Sequence, residues 1–117
     1  MKLYSFNKEA GRDISAFHSN FIMSRIVQME QAATIGCIYL PAGGIVGYHQ
    51  AASSQLLLIV AGQGWVRAKE SAYVHVQAGD AVFWQQEEWH ETKTDSGLTA
   101  ILIESDNLEP SPHLTAK

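Results

Sequence analysis

The chain has 117 residues, 46% of them hydrophobic, and a net charge of −4, which describes one globular domain with a single core. Eight Lys and Arg stand singly among twelve Asp and Glu, so there is no electrostatic footprint for nucleic acid or an anionic membrane surface. Cys37 is the only cysteine, which excludes an intrachain disulfide and a thiolate-built zinc site.

Leu3–Phe6 is a short apolar and aromatic run, read as an edge strand or an arm lying on a partner. Asn7–Asp13 is polar with a Gly and reads as a turn, and Ile14–Asn20 is too short to count as a helix. Phe21–Met29 alternates in a strand-like pattern. Thr34–Leu40 is rich in β-branched and aromatic residues and is stopped by Pro41, so it reads as another strand, with Cys37 expected as a buried, inert thiol.

Next come a Gly-rich turn, a short segment ending in His49, a polar corner at Ala51–Ser54 and the apolar run Gln55–Ala61. Gly62–Gly64 reads as a second turn, followed by a strand from Trp65 to Ala68 and a hairpin at Lys69–Ser71. Tyr73–Val76 alternates. Ala78–Gly79–Asp80 is a turn signal because Gly admits positive φ. Ala81–Trp84 is a short strand, Gln85–Trp89 a polar corner and His90–Thr94 a strand. Asp95–Gly97 closes a hairpin, and Leu98–Glu104 is the last strong strand. The tail carries two of the three prolines and reads as a covering or frayed segment.

About ten short strands, turn signals every 8–12 residues and no long helical period predict an all-β antiparallel sandwich or barrel. Closure or two-sheet packing is expected, because so many strands would otherwise leave open edges. No apolar run reaches the roughly 18 residues that span a bilayer. The N-terminus has no apolar h-region, so a cytoplasmic location is expected.

The spacings resemble those of the cupin superfamily, small jelly-roll β-barrels built as a double-stranded β-helix. The family's first motif, G-x5-H-x-H-x3,4-E-x6-G, falls on Gly43, His49, Ala51, Gln55 and Gly62. The second, G-x5-P-x-G-x2-H-x3-N, falls on Gly79, Gln85, Glu87, His90 and Thr94. The match spans residues 34–104, and the chain divides accordingly into an N-terminal arm (1–33), a barrel core (34–105) and a C-terminal tail (106–117). Of the four positions that bind metal in the family, two keep histidine, while Ala51 and Gln55 replace the second His and the Glu.

The resemblance implies a lumen holding one divalent transition metal (Fe, Zn, Ni or Mn) or none, with His49, His90 and the Gln55 amide as its ligands. Glu88, in the corner before His90, is a candidate substitute carboxylate, and Glu91 is expected to face away by alternation. Beside this stands a small-molecule pocket at the barrel mouth, rimmed by Tyr39, Tyr48, Trp84 and Trp89, in which the two histidines and Gln55 orient a carboxylate or a sugar hydroxyl. Three function classes follow. The first is a ligand-binding or sensing barrel, similar to that of AraC-like regulators but without room for their DNA-binding helices. The second is a metal-dependent dioxygenase, isomerase or lyase acting on a small polar substrate, and the third an interaction scaffold. Whether any catalysis occurs is left open. The expected partners are a small molecule and a second copy in a homodimer, with no nucleic acid and no membrane.

Overall fold

A computed structural model describes residues Met1–Lys117. The architecture is all-β. Eleven strands occur in chain order: β1 (Lys2–Ser5), β2 (Arg12–Ile14), β3 (Phe21–Met23), β4 (Thr34–Leu40), β5 (Ile45–Gln50), β6 (Ser54–Ala68), β7 (Val74–Gln77), β8 (Asp80–Trp84), β9 (Trp89–Lys93), β10 (Leu98–Ser105) and β11 (Thr115–Ala116). All pairings are antiparallel. No helix is long and apolar enough to cross a membrane.

The strand order of the large sheet is β11-β1-β8-β6-β10-β4. Facing it is a smaller sheet in which β5 pairs β9, β9 pairs β6 and β6 pairs β7. The fifteen-residue β6 belongs to both. Its first half lies between β8 and β10, and its second half between β9 and β7.

The apolar run in β6 is continuous because both of its faces are covered, as in any strand buried on two sides. Leu57 and Ile59 face the lumen with Val66, Val82 and Trp84. Leu56 and Leu58 face outward, where they pack on Phe83, Ile103 and Leu108 and are covered by Ile26, Val27 and Met29.

Several local expectations differ from the structure. Gly62–Gly64 is not a turn but a bend within β6. Gly62 takes φ +80°, and its missing Cβ admits the Gly97 carbonyl oxygen, which would lie 2.3 Å from a Cβ there. The pairing with β10 shifts register at the same place, between Thr99 and Ala100. A bulge and a positive-φ glycine thus turn the strand from one sheet into the other without reversing it.

Only Phe21–Met23 of the expected Phe21–Met29 strand pairs. Beyond it Ile26 and Val27 are both partly buried against the outer face of the large sheet, which breaks alternation. The Ile26 carbonyl accepts from the Ser111 N–H of the tail instead. The tail covers rather than frays: Leu108 and Leu114 are buried, and β11 pairs with β1. β1 itself lies between β8 and β11 of its own chain. Cys37 is exposed, because β4 is the edge of the large sheet and no other segment of this chain covers its outer face.

Candidate functional site

Between the two sheets lies a cavity of about 220 Å³. One part of its wall is apolar, formed by Ile38 and Leu40 of β4, Leu57 of β6, and Leu98, Ala100 and Leu102 of β10. At the other end the lining turns polar, with His49, Gln50, Gln55, Trp84, His90 and Glu104.

Register explains why these polar groups meet. Glu104 of β10 pairs with Gln55 of β6, and Gln55 with Trp84 of β8, so the three form one row across the large sheet on its lumen side. His49 and His90 are directly opposed on β5 and β9 of the small sheet, with ring centroids 4.4 Å apart. His90 also lies 4.8 Å from the Trp84 ring.

The corners beside this end are tied by backbone. Ala51 N–H donates to the Glu88 carbonyl and Glu87 N–H to the Ala51 carbonyl, at 3.0 and 2.8 Å. The Gln50 side-chain amide donates to the Glu87 carbonyl at 2.9 Å. Glu87 occupies the family motif's Gly position and takes φ +72°, so the turn survives with a residue that pays a steric penalty there.

The histidine tautomers follow from their contacts. Nδ1 of His49 lies 2.6 Å from the Gly47 carbonyl oxygen, and Nδ1 of His90 lies 3.2 Å from that of Glu88. A carbonyl only accepts, so each Nδ1 carries the proton and, in the neutral ring, each Nε2 presents a lone pair. Burial holds the His90 imidazole below the usual histidine range, against the Glu88 carbonyl, which favours the charged form. Neither Gln55 nor Glu104 makes a side-chain hydrogen bond or ion pair within the protein. Trp84 is 1% exposed, and its indole N–H is buried without a partner.

Of the residues singled out in the sequence, His49, His90, Gln55 and Trp84 line this one cavity. The other three aromatics lie outside the lining, and strand phase explains each. Ile38 and Leu40 take the inward phase of β4, leaving Tyr39 75% exposed. Tyr48 and Trp89 are out of phase with His49 and His90, and lie against each other with ring centroids 5.3 Å apart.

Glu88 is turned away from the lumen, where its carboxylate takes the Met1 ammonium and the Gln85 N–H. Glu91 lies on the opposite face from His90, accepting from Tyr73 and from Arg67. The Tyr73 hydroxyl, with the Arg67 guanidinium beside it, holds the Glu91 carboxyl below the usual carboxylate range. Arg67 in turn stacks on Tyr48 at 4.5 Å. Glu104 was not singled out from the sequence. The available signal was its phase: Leu98, Ala100, Leu102 and Glu104 alternate on the same face.

The metal centre implied by the resemblance can be tested against this donor set. Nowhere in the chain do three His, Cys, Asp or Glu side chains come together so as to hold a metal ion. The opposed imidazoles have the neutral Gln55 amide as their third candidate ligand, whereas three-ligand catalytic sites of this kind use a third imidazole, carboxylate or thiolate. The lumen does not fit the family's metal centre.

A jelly-roll barrel with an internal, mainly apolar cavity and a polar end is a cupin-fold ligand-binding domain. Residues 41–110 match the model of the AraC-like ligand binding domain, and the chain belongs to that family. No curated protein sequence matches it.

Among solved structures, an RmlC-like cupin from Shewanella frigidimarina NCIMB 400 superposes with a TM-score of 0.60 at 20% identity, covering 70% of this chain and 73% of that one. A cupin superfamily protein from Desulfitobacterium hafniense DCB-2 gives 0.59 at 12% identity, over 68% and 72%. A predicted oxalate decarboxylase from Thermotoga maritima gives 0.54 at 24% identity, over 59% of this chain and 62% of that one. Similarity at this level establishes the fold alone.

Proposed function

We propose that this chain is a small-molecule-binding domain, a sensing rather than a catalytic barrel, whose ligand occupies the lumen. The observation that carries this reading is the set of polar groups left without protein partners around one cavity. They are the Gln55 amide, the Glu104 carboxylate and the Nε2 atoms of the opposed histidines. Gln55 and His90 are buried, Glu104 is half-buried and His49 is exposed. Buried polar groups in folded proteins are nearly all paired with protein or water, and a largely apolar cavity with a few convergent polar groups is the usual form of a ligand site. The cavity volume of about 220 Å³ lies below the roughly 300–1,000 Å³ of drug-sized pockets, which points to a compact ligand. Because the two imidazoles and the Glu104 carboxylate do not converge on one point as metal ligands, the lumen gives the metal-dependent reading less support.

The test is to fill the lumen. Ala100 is fully buried and lines the cavity, and in Ala100→Leu the added carbons take up ligand space. The variant should unfold within a few degrees of the wild type, because the cavity absorbs the added volume. Small polar molecules that raise the melting temperature of the wild type should no longer do so. Stabilisation that persists in Ala100→Leu would show that binding occurs elsewhere.

A further inference from the structure

We infer that the lumen selects a small cationic amphiphile, an ammonium group on a compact apolar body. The inference rests on the lumen-binding reading above and specifies its ligand class.

The argument is an inventory of donors, acceptors and charge. Glu104 is the only acidic residue lining the cavity, and no Lys or Arg lines it. All three ion pairs of the chain involve other carboxylates: Glu88, Glu91 and Asp80. The Glu104 carboxylate is therefore half-buried and has no counter-charge of its own.

Buried His90, held below the usual histidine range, does not supply that charge. Each Nδ1–H is held by a backbone carbonyl, which fixes the tautomer whose neutral form turns an Nε2 lone pair to the cavity. His90 is 3% exposed, yet its Nε2 is not among the occluded unpartnered atoms, so this nitrogen reaches open space in the lumen. The same holds for the amide of Gln55, 7% exposed and without a partner. The polar end thus holds one carboxylate, two imidazole nitrogens and one amide that accepts through Oε1 or donates through Nε2. It carries no Lys or Arg, so its only fixed side-chain charge from an acid or a base of that kind is the negative one of Glu104. The opposite end, formed by Leu40, Leu57, Leu98 and Ala100, takes an apolar body.

A ligand carboxylate would lie near Glu104 and find the Gln55 amide N–H groups there but no Lys or Arg to balance the two negative charges. A neutral alcohol can satisfy single acceptors but leaves the charge uncompensated.

Three probes on one ring separate these cases: cyclohexylamine, cyclohexanol and cyclohexanecarboxylate, titrated calorimetrically at neutral pH into the full chain, into Glu104→Gln and into Ala100→Leu. Cyclohexylamine should bind the wild type about tenfold more tightly than cyclohexanol, the advantage of a charge-assisted over a neutral hydrogen bond, and cyclohexanecarboxylate should bind weakest. Glu104→Gln should bring the amine down to the alcohol's affinity while leaving the alcohol within about twofold. Far-ultraviolet circular dichroism and the melting temperature check that the variant is folded. Ala100→Leu should abolish all three.

If the carboxylate ranks first, or the amine keeps its advantage in Glu104→Gln while Ala100→Leu still blocks binding, the ligand class is wrong and the lumen reading stands. If no probe binds the wild type, or binding survives Ala100→Leu, the lumen reading fails and the class inference with it.

Discussion

Replacing Trp84 by Phe tests the wall of the cavity through stability alone. Trp84 is among the largest fully buried side chains and packs in the lumen-side core with Leu57, Val82 and Leu98. The smaller ring gives up roughly 40 Å³, a cavity cost of about 1 kcal/mol at about 24 cal/mol per Å³, and the lost transfer free energy of the removed carbons adds about 1 kcal/mol more. The substitution also deletes an indole N–H that is buried without a partner, and a donor in that state costs about 1–3 kcal/mol. The two effects oppose each other, so the variant should lie within about 1 kcal/mol of the wild type in either direction. A buried Trp with a satisfied N–H would lose the volume and the bond together. Urea unfolding followed by far-ultraviolet circular dichroism gives the difference without relying on tryptophan fluorescence, and an unchanged m-value shows that the two denatured states are comparable. A loss above about 2 kcal/mol at constant m would mean that the indole N–H has a partner in the folded protein, refuting the reasoning.

Two further outcomes follow from the same geometry. Glu87→Gly should stabilise the domain by up to about 1 kcal/mol, since relief of the left-handed conformation outweighs the added freedom of glycine in the unfolded chain; a lower melting temperature would mean that the Glu87 side chain contributes more than its backbone costs. Stability should also fall on acidification. The unfolded chain protonates its histidines near the ordinary value of 6.5, whereas folded His90 resists protonation to lower pH. Its contribution is therefore intact above about pH 6.5 and is lost as pH falls through the folded value. Glu91, held below its ordinary 4.5 by Tyr73 and Arg67, adds a second loss at still lower pH. Denaturant midpoints across this range should show the first loss in the wild type and not in His90→Gln, and a first loss of equal size in both would assign it to another group.

The features legible in the sequence are those encoded by neighbouring residues. β4 and β10 are bounded by Pro41 and by the Asp95–Gly97 turn, and their β-rich composition needs no distant partner to be recognised. That turn is not the expected hairpin, since β9 pairs with β5 and β6 and β10 with β4 and β6, so it carries the chain from one sheet to the other. The turn at Ala78–Gly79 is equally local, with Gly79 at φ +96°. What was not legible depends on what lies across the sheet. Gly62 and Gly79 both take positive φ, but only the approach of the Gly97 carbonyl makes Gly62 a bend inside a strand rather than a hairpin. In an apolar strand Cys37 reads as a core residue and Tyr39 as a pocket residue, yet that strand is an edge and their side faces outward. The histidines were found because a motif spacing marks them. Glu104 carries no such mark, since its chemistry arises when β10 sets it beside Gln55.

That pairing explains how the lumen keeps a negative charge although the motif has lost one. The family's Glu position holds the neutral Gln55, and the carboxylate stands one strand away on Glu104, directly across the ladder, about 4.8 Å in the hydrogen-bonding direction. The second motif His is Ala51, 2% exposed, with both backbone groups bonded to the opposite corner, so that position has become a structural tie. The two surviving imidazoles keep their Nδ1–H groups on backbone carbonyls and their Nε2 lone pairs free. Lone pairs and a carboxylate converging on a dication would form a metal centre. With the carboxylate displaced by a strand and the second imidazole gone, the same acceptors surround a wider volume open to an apolar wall. A bare ion cannot fill such a space with close contacts, but an organic cation can, because its charge satisfies Glu104 while its carbon body occupies the volume between the ring of acceptors and Leu98.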